Sequence, residues 1–185
     1  VQLARRKQRD ELQFMTTSVE PPYVEWTCSH RYVAFLSHYK MDAASDARYM
    51  YDLLRKMTCS QVYLDSSTLS DLRQLFDEGI GLSDVVLLLC TSGVLTRPWC
   101  LLEQLEAKRR GVPVVPVVIT GIADRAFDLP TMRRLVADLE GEMPALNPYC
   151  LELLHEHLGD DLHDLEEKMT EEHVALLLPS KPAPC

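Results

Sequence analysis

Val85-Val86-Leu87-Leu88-Leu89-Cys90 is apolar at six consecutive positions, and how that run is read decides the fold. A strand with one wet face alternates apolar and polar residues. A strand covered on both faces stays apolar throughout, as in a parallel sheet flanked by helices. The run is short and begins with β-branched residues, which favours strand over buried helix. Three other stretches read the same way: Tyr32-Val33-Ala34-Phe35-Leu36, Gln61-Val62-Tyr63-Leu64 and Val112 to Ile119. Pro113 and Pro116 in the last of these cannot donate to a ladder, which points to an edge position or a late strand start.

Helical patterns separate the runs. Tyr49, Met50, Leu53 and Leu54 mark a helix before the second strand, and Leu72, Leu75, Phe76 and Ile80 mark one before the third. Pro98 to Arg110 forms the next, opened by proline and closed by Gly111, and Leu129 to Glu140 adds a fourth. Strand alternating with helix predicts an α/β domain, a flavodoxin-like parallel sheet of four to five strands with helices on both faces. No clear fifth strand follows the fourth helix. The domain is expected over residues 31–140. Residues 1–30 are set apart as a flanking helix and linker, and residues 141–185 as an acidic helix and tail.

The net charge of -9 is concentrated near the C-terminus. Between Leu151 and His173 nine acids face one base, Lys168, so the rest of the chain is nearly neutral. A nucleic-acid binder needs a basic stripe on its folded domain, and none is present, so no nucleic-acid partner is expected. Leu151, Leu154, Leu158, Leu162, Leu165 and Met169 follow spacings of three and four along this acidic stretch. They predict an amphipathic helix that either docks on its own domain or pairs with another chain, although Gly159 interrupts it. His155 and His157 point apart on such a helix, so a solvated surface is expected there and no metal site. Six cysteines without a C-x-x-C pair suggest a reducing compartment, and no apolar stretch approaches the ~20 residues of a membrane helix. A cytoplasmic location with no membrane segment is the expectation.

In doubly wound sheets ligands bind beyond the carboxyl ends of the strands, where neighbouring connections diverge. For a flavodoxin-like order that point lies between the first and third strands. The loops there are Ser37 to Asp42, with an aromatic and a base in Tyr39-Lys40, and Thr91 to Arg97, which leads into the helix carrying Glu103. Together they suit a polar, anionic, ring-bearing ligand. The chain has no G-x-G-x-x-G, Walker or G-x-S-x-G sequence, which excludes a standard Rossmann grip, a P-loop ATPase and an α/β-hydrolase elbow. In Arg97-Pro98-Trp99-Cys100-Leu101-Leu102-Glu103, Arg97 is the expected N-cap and Pro98 the first helical residue. Trp99 and Glu103, four apart, are expected on one face, the indole desolvating the carboxylate at a cleft edge; the alternative, which residue chemistry alone favours, is a surface glutamate beside Glu106 and Lys108 on a solvated helix face. Cys100, in the first turn, is either a reactive thiol, because the helix dipole favours a thiolate, or a buried, inert cysteine.

In order and spacing, Val33-Ala34-Phe35-Leu36-Ser37, Val62-Tyr63-Leu64-Asp65 and Trp99-Cys100-Leu101-Leu102-Glu103 resemble the TIR domain family over residues 31–140. The last segment looks like the W-C-x-x-E segment of plant-type TIR domains. Several members of that family cleave NAD and release nicotinamide. The resemblance therefore implies NAD as a substrate rather than a bound cofactor, with Glu103 catalytic and Ser37, Tyr39, Lys40 and Trp99 in substrate binding. It also implies self-association through the domain and pairing with other TIR domains; the leucine seam over 151–169 is a candidate aid to that self-association. The second reading is a non-catalytic TIR scaffold, to which a carboxylate at 103 would be of no chemical use. Two departures stand out. Ser66-Ser67-Thr68-Leu69-Ser70-Asp71 lacks the basic-glycine pair usual in plant members, and Met41 stands where some enzymes carry a second base.

Overall fold

The computed structural model describes residues 23–64, 75–120 and 125–159. Four strands form one parallel sheet: β1 (Ala34–Ser37), β2 (Val62–Leu64), β3 (Val86–Cys90) and β4 (Val114–Val118). Their order is β2-β1-β3-β4, every pairing being parallel, which is the flavodoxin-like arrangement. β1 and β3 are central and the most deeply buried, as their uninterrupted apolar sequences require. β4 begins only after Pro113 and lies at an edge, and Pro116 stands opposite Leu88. An edge strand tolerates this proline because one side of its ladder is unused.

Side-chain alternation sends each strand's residues to two different cores. Phe35, Val86, Leu88 and Cys90 face one side, where they meet α2 (Pro98–Arg109) and the helices that follow it. Ala34, Leu36, Leu87 and Leu89 serve the other side, against α1 (Lys40–Thr58) through Ala43, Ala47, Met50 and Leu54. α1 starts earlier than its apolar residues suggest: Lys40 to Asp42 form its first turn, and the helix kinks at Ala43, whose backbone is non-helical. A short π-helical turn (Leu75–Ile80) stands where the sequence predicts an ordinary helix beginning at Leu72. The loop Ser66 to Asp71, and Leu72 itself, lie outside the described residues.

The predicted helix from Leu129 to Glu140 is two helices. α3 (Leu129–Ala137) ends at Asp138, whose non-helical backbone breaks the helix and whose carboxylate accepts the Gly141 N–H at 2.9 Å. α4 (Leu139–Leu146) and α5 (Pro148–Leu158) follow, and they do not form a separate flank. Met143, Cys150 and Leu154 are fully buried in the core that contains α2, with Leu151 and Leu158 packed against it. The expected domain boundary at residue 140 therefore does not mark the end of the packed unit. The described part of the leucine seam docks on its own domain, and α5 stops at Gly159, where φ is 53°. The remainder of the seam, Leu162 to Met169, lies outside the described residues.

Candidate active site at the carboxyl edge of the sheet

Ser37 closes β1 two residues after Phe35, so its side chain projects to the same side, toward α2. α2 is buried on nearly every side, between the sheet and α5, and this placement takes two polar residues inside with it. Glu103 is 7% exposed and Gln104 fully buried. The Ser37 hydroxyl donates to Glu103 Oε2 at 2.6 Å, and Gln104 Nε2 donates to Ser37 Oγ at 3.1 Å. A short hydroxyl-to-carboxylate bond in a dry setting is charge-assisted and holds the carboxylate in one orientation.

The two loops predicted to flank the site do meet. Tyr39 is half-buried, and the Arg97 guanidinium lies 4.0 Å from the centre of its ring. The Gly93 N–H donates to Asp42 Oδ2 at 3.1 Å. A Cβ at Gly93 would come within 2.8 Å of Tyr39 Cδ1 and 2.9 Å of Asp42 Oδ2, so this approach needs glycine. Arg125 donates to the Asp42 carbonyl, and its own carbonyl accepts from the Ser92 N–H at 3.0 Å. Lys40, the first residue of α1, is exposed at the same end. Three buried polar atoms of this region have no protein partner: Thr91 Oγ1, Arg97 Nε and Gln104 Oε1. Buried polar groups are nearly always bonded, so three orphans on adjoining elements are a feature to be explained.

Trp99 and Cys100, neighbours in the first turn of α2, differ sharply in exposure. Trp99 is 39% exposed, and its ring lies 5.2 Å from that of His157 on α5. Glu103 is desolvated by its burial beside Ser37 and the core around α2. Cys100 is buried rather than reactive: burial pushes its thiol well up, the neighbouring Glu103 charge adds to this, and the Ser37 hydrogen bond and Arg97 offset only part. The Gln104 contact was not legible, because a pattern of apolar spacings does not show that a second polar residue enters the core beside Glu103. Arg97 was readable as a helix cap but not as the cation over Tyr39.

Two clefts lie at the opposite, amino end of the sheet. One of about 420 Å³ is bordered by Asp52, Arg55, Lys56 and Gln61, the other of about 360 Å³ by His30, Asp84, Arg110 and Pro113. Neither contains the groups gathered around Glu103, and doubly wound sheets place chemistry at the carboxyl edge. Among the described residues no cluster of three or more metal-ligating side chains occurs, and no helix is long and apolar enough to cross a membrane.

No protein-family profile matches the chain, and no curated protein sequence matches it. A solved structure of the activated Roq1 resistosome directly recognizing the pathogen effector XopQ (TIR domains) does match, with a TM-score of 0.54 and 20% identity. The match covers 78% of this chain and 83% of that one. At such identity the likeness is one of architecture, and it extends over most of both chains: this protein has a TIR-like α/β fold.

Proposed function

We propose that the protein is a NAD glycohydrolase with Glu103 as its catalytic carboxylate. The observation that carries this reading is the buried, hydrogen-bonded carboxylate at the carboxyl edge of β1, at the switch point between β1 and β3. Cleaving the nicotinamide–ribose bond builds positive charge on the ribose, in an oxocarbenium-like state. The C–N bond breaks with its electron pair leaving on nicotinamide, and water adds to the sugar carbon and loses a proton, giving ADP-ribose. A carboxylate fixed in a dry site stabilises the developing cation without reorganising. Lys40 and Arg97 supply positive charge for the diphosphate, and Tyr39 supplies an aromatic face for the nicotinamide ring. Self-association and pairing with other TIR domains belong to the same reading.

The second reading is a non-catalytic TIR module that signals by assembly. In its favour, Glu103 is deeply buried and already engaged by Ser37. Nicotinamide release from NAD by concentrated protein separates the two. Glu103→Gln is the sharper control, since Glu103→Ala would also leave a cavity. Loss of a carboxylate aimed at developing charge should lower the rate by roughly 100-fold or more. Release by Glu103→Gln at the wild-type rate, or none from the wild type across a wide concentration range, would leave the assembly module.

A further inference from the structure

Gln104 is fully buried on α2, and half of its amide is unsatisfied: Nε2 donates to Ser37 Oγ, while Oε1 has no partner. A glutamine kept for folding would have both ends bonded, and a leucine would fill this position with no orphan at all. The arrangement is therefore costly for stability, and what it does accomplish lies at Ser37. A serine hydroxyl carries one proton. With the amide nitrogen facing Ser37 Oγ, that proton is left for an acceptor: Glu103 Oε2 lies 2.6 Å from the hydroxyl oxygen, and the neighbouring Cys100 thiol, held protonated, is the weaker acceptor. With the amide reversed, Oε1 would compete with the carboxylate for the same proton.

We propose that Gln104 is a positioning residue which, through Ser37, commits a hydroxyl proton to Glu103 and keeps that carboxylate ionised and fixed. The geometric claim stands on the hydrogen bonds alone; its catalytic meaning rests on the glycohydrolase reading. The donor end of the amide dipole is turned toward the chain that ends on Glu103, and serial hydrogen bonds polarise one another in the same sense. Other groups around this network are the Cys100 thiol, Arg97 at the start of α2 and the Cys150 thiol of α5. Both thiols are pushed up by burial, Cys150 to about 11, so neither changes charge where a carboxylate titrates.

The test is a carbon-13 titration of the Glu103 side-chain carboxyl in the full chain, made in wild type, Gln104→Leu, Ser37→Ala and the double variant. Gln104→Leu should raise the midpoint measurably, by up to about half a unit, and by less than Ser37→Ala, which removes the hydrogen bond to the charged form itself. In the Ser37→Ala background the same substitution should move it by much less, because the connection is gone. Thermal stability should hold or rise in Gln104→Leu, since an orphaned acceptor has been removed. Equal shifts in both backgrounds, or no shift, overturn the proposal. So does a collapse of the fold in both Gln104→Leu and Gln104→Met, which would make Gln104 a folding residue. Nicotinamide release is read in parallel: with Glu103 catalytic, Gln104→Leu lowers kcat more than it changes KM and moves the acid limb of the pH profile upward. A shifted titration without nicotinamide release in any variant retains the positioning role and removes the glycohydrolase reading.

Discussion

At Cys100 two effects on one atom oppose each other. The first turn of a helix offers free N–H groups and a positive dipole end, which favour a thiolate. Burial against the core and the adjacent Glu103 charge act the other way and prevail, so the thiol stays protonated. Cys90 on β3 behaves alike, its thiol pushed up to about 12 by burial. Exposed Cys59 at the end of α1 has no such burden of access. Mild alkylation followed by mass spectrometry should therefore modify Cys59 well before Cys100 and Cys90. Labelling of Cys100 at a rate equal to Cys59 would show that α2 opens readily. Sequence placed Cys100 correctly at a helix start, but helix position says nothing about depth, and depth decides the chemistry.

The elements differ in how far their sequences disclose them. β1 and β3 were legible because burial on both faces leaves a continuous apolar run, and α2 because proline and glycine bracket it. The break at Asp138 was hidden: the apolar period runs through it, and only the carboxylate's capping of Gly141 ends one helix and starts the next. Glu103 stood out through its place in a family-like segment, whereas Gln104 and Gly93 matter by contacts across the fold. Gly93 sits where the loop after β3 meets the start of α1, against Tyr39 and Asp42. Gly93→Ala would force the Tyr39 ring and the Asp42 carboxylate apart, and overpacking of this kind costs about 1–3 kcal/mol. The variant should lower the melting temperature and, on the glycohydrolase reading, raise KM more than it lowers kcat, because Tyr39 is displaced while Glu103 stays fixed to Ser37. A Gly93→Ala protein with wild-type stability and KM would mean that the loops yield freely.

Across the whole molecule, the two ends of the sheet divide the work between them. Among the described residues, Thr91 Oγ1, Arg97 Nε and Gln104 Oε1, three of the four orphaned polar atoms, lie toward the carboxyl edge, the fourth being Arg133 Nε on α3, whereas at the amino end Asp84 is heavily satisfied. Its carboxylate, just ahead of β3, accepts from Trp26 Nε1 at 3.0 Å, from the Ser29 N–H at 3.1 Å and from the His30 N–H at 2.9 Å, and it pairs with His30 Nδ1 at 2.9 Å. Residues 26–30, assigned by sequence to a linker, are thereby clamped to the domain. Burial alone would raise the Asp84 carboxyl, but its donors outweigh this and hold it below the usual carboxylate range. A carboxyl whose folded value is depressed contributes stability above its unfolded value, near 3.8, and that contribution is lost as pH falls through the lower folded value. Asp84→Ala removes several hydrogen bonds to a charged acceptor, and because their donors are exposed and can turn to water the cost should be about 1 kcal/mol at pH 7. Urea unfolding at pH 7 and again below pH 3, followed by tryptophan fluorescence, should show the gap between wild type and variant narrowing in acid. On the glycohydrolase reading, nicotinamide release at neutral pH should survive the substitution in the folded fraction, since Asp84 lies at the opposite end of the sheet from Glu103. A gap that stays constant from pH 7 into acid would mean that the clamp acts by shape rather than by charge.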